Sequence, residues 1–215
     1  MAVAVEAAVA GEPTLASVGD CALPHAVEHW IAEVPAAEDP RLGRPGAICP
    51  ALPDLLKAGG LFWARVSLAE ALRSPTSPVD AVSTVIERLL VEAWGLIRSR
   101  PGELTACLWV IEGVPAHVMR PVLETAFMSR RAQAVGMSLM IGFFHPFRQR
   151  QSLALPGVAT MRSPEPLLAV RPVLRSDERS LHGETAALAS FHDIFPPPAS
   201  RESDVTYHQR RGAAL

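Results

Sequence analysis

A chain of 215 residues with 49% apolar side chains can bury one sizeable core and fits one domain more readily than two. Its formal charge of −2 and pI near 6.4 offer no broad attraction for a phosphate backbone, which argues against nucleic acid as a partner. No segment supplies the roughly 18 uninterrupted apolar residues of a membrane span.

In chain order, residues 1–22 begin with an apolar run but lack a basic start and carry Glu6, so they read as a disordered leader rather than a signal peptide. A single α+β domain is expected over 23–195 and a flexible tail over 196–215, where PPP and a polar stretch leave little to pack. HAVEHWIAEV reads as a short helix, and DPRLGRPGAICPALPDLL as loop and turns because of its prolines and glycines. LFWARVSL has the aromatic and β-branched content of a strand. Residues 77–100 are the clearest helix, with Ser77 as cap, Pro78 in the first turn and Val82, Val85, Ile86, Leu89, Leu90 and Ala93 at helical spacing.

LTACLWVIEGV is the next strand, followed by a helix over 118–135 that stops at Gly136. MSLMIGFF is a buried strand leading into His145 and Pro146; after a coil, PLLAVRPVL is a strand and LHGETAALASFHDIF a closing helix. This order predicts a mixed or antiparallel sheet with helices packed on it, an α+β sandwich of ferredoxin-like type.

Phosphate loops of the common glycine spacings, the G-x-S-x-G elbow and closely spaced cysteine pairs do not occur. HAVEH matches the H-x-x-E-H zinc arrangement, yet it lies near the N-terminus of a chain too small for that peptidase architecture, so a polar helix face is the better reading. Cys21, Cys49 and Cys107 are odd in number and widely spaced, which suits reduced thiols in a cytoplasm. Cys107 belongs to a strand and reads as core. Cys49 precedes Pro50 in a turn-rich segment; it is either loop packing or a thiolate activated by Arg41 or Arg44, able to attack or to ligate iron.

His145, in FFHPF, stands out most. Pro146 biases its backbone toward extended geometry, so the ring projects from a strand end beside Phe143, Phe144 and Phe147. An imidazole there serves as acid, base or metal ligand, or is simply hydrogen-bonded to backbone. Arg162 precedes a proline-rich turn and Arg171 lies at the far end of the following strand; either suits capture of a carboxylate, or faces solvent.

Taken together, RLGRPGAICP, FFHPF and RSPEPLLAVRPVLRSD resemble a family of bacterial proteins of unknown function marked by F-H-P and a downstream R-S-P-x-P-x-L-x-x-R segment, over about Asp39 to Phe195. That resemblance implies a place in specialised-metabolite gene clusters and, from some relatives, a haem-dependent oxidoreductase that oxidises nitrogen in a small amino-containing metabolite. It would make His145 the metal ligand and candidate catalytic residue, Arg162 and Arg171 the propionate or substrate contacts, and Phe143, Phe144, Phe147 and Cys49 neighbours of the cofactor. The coil RQRQSLALPGVAT lacks an asparagine of the relatives, which puts a substrate contact there in doubt. Two alternatives stand beside it: a cofactor-free enzyme with His145 as general base and Cys49 or water as nucleophile, and a non-catalytic accessory protein. The expected partner is a small molecule, with homo-oligomerisation left open.

Overall fold

The computed structural model describes residues 15–18, 21–42, 45–75, 77–148 and 160–197. Five strands form one mixed sheet: β1 (Ala16–Ser17), β2 (Leu61–Ser67), β3 (Ala106–Glu112), β4 (Leu139–Phe144) and β5 (Leu167–Pro172), in the order β1-β2-β3-β5-β4. β2 and β3 run parallel, while β5 is antiparallel to both β3 and β4. The helices are α1 (His25–Glu33), α2 (Leu52–Lys57), α3 (Ala69–Leu72), α4 (Pro78–Arg98), α5 (Thr125–Gly136) and α6 (Thr185–Ile194). None among the described residues is long and apolar enough to cross a membrane.

The α+β expectation and the strand and helix order hold. In β2, Leu61 to Ala64 and Val66 are buried, and in β3 every residue but Glu112, because helices cover both faces of the sheet. On one face α4 and α5 bury Val82, Ile86, Leu89, Leu90 and Phe127 against Val66, Trp109, Ile141, Phe143 and Val170. On the other, Val27 and Ile31 of α1 and Leu55 of α2 cover Leu61, Trp63, Leu108, Val110 and Leu167. A third cluster joins α6, through Ala187 and Phe191, to Val135, Met140 and Val173. The β3–α5–β4 crossover with β5 between its strands is the split βαβ unit of ferredoxin-like folds; the adjacent parallel β2–β3 pair and the helices on both faces set this sheet apart.

Three local readings are corrected. Of the leader expected over 1–22, residues 1–14, 19 and 20 lie outside the described residues; Ala16–Ser17 form β1, which pairs with Phe62 and Trp63 of β2, and the Trp63 indole donates to the Cys21 carbonyl at 2.9 Å. The loop read over 39–56 contains most of α2, whose Pro53 falls in the first turn, where a missing N–H costs nothing. The helix read over 118–135 is divided: Met119–Glu124 is a π-helical turn and α5 begins at Thr125. Pro121 lies within that turn and, lacking an N–H, cannot donate the α-helical bond to the carbonyl four residues back. Of the tail expected over 196–215, all but Pro196 and Pro197 lie outside the described residues.

Candidate functional site

β4 is the edge strand, and alternation along it directs Leu139, Ile141 and Phe143 into the α4–α5 face. His145 follows with the same parity. Its ring lies 5.2 Å from that of Phe143, which in turn lies 5.8 Å from Phe127 of α5, and the residue is 0% exposed. Pro146 has no N–H, so Phe147 supplies the first one after His145, and it donates to His145 Nδ1 at 3.2 Å. With Nδ1 accepting, the ring carries its proton on Nε2, and that N–H donates to Glu124 Oε1 at 2.7 Å.

Glu124 ends the π-helical turn. The Arg148 guanidinium, also buried, stacks over Phe143 at 5.7 Å and Phe127 at 5.8 Å, with Nη1 4.0 Å from the same Oε1. Arg148 is fixed from behind: its N–H donates to the His145 carbonyl at 3.2 Å, and its own carbonyl accepts from Arg162 Nε at 3.0 Å. One buried donor, the His145 Nε2–H, thus holds the carboxylate, with the buried Arg148 guanidinium at ion-pair distance. The Glu124 side chain keeps 29% of its surface and forms part of the wall of an open groove of about 550 Å³, with Ala116, His117, Arg120, Pro121 and Phe147.

The residues expected to form one site divide into two groups. Phe143, His145, Phe147 and Arg162 gather at the β4 terminus. Phe144 points to the opposite face, edge-on to Trp30 of α1 at 5.2 Å, and its ring folds so closely over Gly142 that a Cβ there would sit 2.9 Å from it. Arg171 shares that opposite face at the far end of β5: the register sets Leu167 beside Phe144 and Arg171 beside Met140, about 13 Å further along at ~3.3 Å per residue. It forms a two-pronged pair with Asp177, both contacts 2.7 Å, while Asp177 also accepts the Leu174 N–H at 2.8 Å. Burial pulls the Arg171 guanidinium down, but Asp177, with Cys49 beside it, holds it above its ordinary value.

Cys49 therefore neighbours Arg171 and lies apart from His145. Of the cations expected to activate it, Arg41 is paired with Asp39 at 2.6 Å and Arg44 lies outside the described residues. In HAVEH, the two rings stack 6.3 Å apart and His29 bonds Glu33 at 3.0 Å.

The residues do not fit a haem in the way the resemblance implies. An axial histidine offers a ring-nitrogen lone pair to iron, whereas His145 donates from Nε2 and uses the Nδ1 pair for a backbone N–H. Phe143 is packed beneath α5, Phe144 faces away, Arg162 holds a backbone carbonyl, and Arg171 is bound to Asp177 at the other end of β5. Glu124 and Arg148, which sequence reasoning missed, supply the charge at the site. Arg148 was within reach as the residue after FFHPF; Glu124, 21 positions before His145, left no spacing signal.

Fold and site together define an α+β protein with an oriented carboxylate on the wall of an open groove. The chain belongs to the family described as a domain of unknown function, DUF6875, whose model matches residues 24–206. No curated protein and no solved structure gives a match.

Proposed function

We propose that this protein is an enzyme that moves a proton on a small metabolite seated in the groove, with Glu124 as the general base. One observation carries the reading: the buried His145 Nε2–H donates to Glu124 at 2.7 Å and so fixes a carboxylate that remains open to the groove. A base held by donors that do not themselves meet the substrate is already aimed, which is how positioned carboxylates contribute about 10²–10⁴-fold to proton transfer. His145 is a positioning residue here rather than the base. The small amino-containing metabolite that the resemblance implies suits a carboxylate that takes a proton from the carbon beside the amino group and returns one to that carbon or its neighbour. The free thiols Cys21, Cys49 and Cys107 support a reducing compartment such as the cytoplasm.

The test is to incubate the full chain with a panel of amino-containing metabolites in D₂O and follow turnover and solvent-deuterium uptake by NMR. Glu124→Gln should reduce either rate by about 10²-fold or more. A variant that works as well as wild type would refute the assignment. The haem-dependent oxidation implied by the resemblance predicts instead a Soret band on addition of haemin that His145→Ala abolishes; the geometry at His145 leads us to expect no such band.

A further inference from the structure

Resting on the reading of the groove as the site, the geometry points to a substrate class: a small oxyanion, carboxylate or phosphate, joined to an apolar body, with Arg120 as the residue that selects it. Arg120 and Glu124 are four apart on one helical segment, a spacing at which arginine and glutamate ordinarily pair. Here they do not. Among the described residues the ion contacts of Glu124 are His145 at 2.7 Å and Arg148 at 4.0 Å, both on Oε1. Among the described residues Arg120 has neither an ion pair nor a hydrogen bond, yet it lines the same groove.

The groove wall accordingly carries one guanidinium, Arg120, that meets no carboxylate among the described residues, since Glu124 is engaged by His145. An arriving anion supplies that partner. The planar guanidinium fork matches the two oxygens of a carboxylate or phosphate, which a simple ammonium does not. Phe147, 51% exposed on the same wall, offers a ring face to the rest of the molecule. A ligand that places its anionic group on Arg120 and its apolar body on Phe147 brings the intervening carbon or nitrogen toward Glu124.

The experiment titrates the full-length protein with benzoate, phenyl phosphate, acetate and benzamide, followed by calorimetry and by NMR shifts of the groove residues. Benzoate or phenyl phosphate should bind at least tenfold more tightly than benzamide, the neutral isostere, and the stronger of the two identifies the anion. Arg120→Gln should weaken that binding at least tenfold, and Arg120→Lys should recover only part of it. Phe147→Ala should weaken the aryl anion but not acetate. Equal affinity for benzamide, unchanged affinity in Arg120→Gln, or no binding of either aryl anion at 10-millimolar scale overturns the inference. Glu124→Gln separates the two claims: retained anion binding with lost turnover supports both, Arg120-dependent binding with intact turnover removes only the proton-transfer reading, and lost turnover with anion binding indifferent to Arg120 removes only the substrate class.

Discussion

Replacing Glu124 tests how the site is held. In Glu124→Ala the His145 Nε2–H loses its acceptor at 2.7 Å, and because the ring is 0% exposed, water reaches that donor poorly. A hydrogen bond to a charged group contributes about 1.5–3 kcal/mol, so a loss of about 2 kcal/mol is expected. In a chain of 215 residues each kcal/mol moves the melting temperature by about 2–4 °C, giving a decrease of about 4–8 °C. Glu124→Gln keeps an amide oxygen where Oε1 lies but removes the charge. Charged hydrogen bonds are roughly twice as strong as neutral ones, so it should lose about 1 kcal/mol, or about 2–4 °C. Calorimetry and urea titration of the three proteins give the order wild type, Gln, Ala. If Glu124→Ala is as stable as wild type, or Glu124→Gln is the weaker variant, the carboxylate is not held by His145 in the way described.

Three further outcomes concern the rest of the fold. Asp177→Ala strands the Arg171 guanidinium and the Leu174 N–H together and should cost about 3 kcal/mol in urea titration, the lower end for breaking a buried pair because Arg171 keeps some solvent contact. Burial, reinforced by the charge of Glu92, pushes the Cys107 thiol from its ordinary 9.0 up to about 12, so in native protein at pH 8 it should resist alkylation while the half-buried Cys21 and Cys49 react. Above pH 9 the unfolded chain gives up that proton while the native chain keeps it. The thiol's contribution to stability is therefore intact below about pH 9 and falls away as pH rises toward about 12, which equilibrium unfolding of wild type against Cys107→Ala would read.

Much of the architecture is local physics and could be read from the chain. The apolar periodicity of 78–98, with Ser77 accepting from the Asp80 N–H and Pro78 in the first turn, determines α4 without reference to its neighbours. The apolar runs at 61–64 and 106–111 also mark strands. FFHPF likewise marks the place where the candidate site is built: a histidine after a buried strand must find partners, and the proline ensures that the next N–H belongs to Phe147.

Which partners the imidazole finds was settled only by packing. Crossing from β3 through α5 to the edge strand β4 brings the start of α5 against the end of β4, so Glu124 meets a ring 21 residues away. The order of strands also sends His145 and Arg171 to opposite ends of the β4–β5 pair, although both flank apolar strands in the sequence and read alike there. Period-two alternation tells which residues share a face, but a face has two ends. Which end a side chain occupies, and which helix covers it, follows from strand order and crossover, and those are fixed by the burial of the whole sheet rather than by any short stretch of sequence.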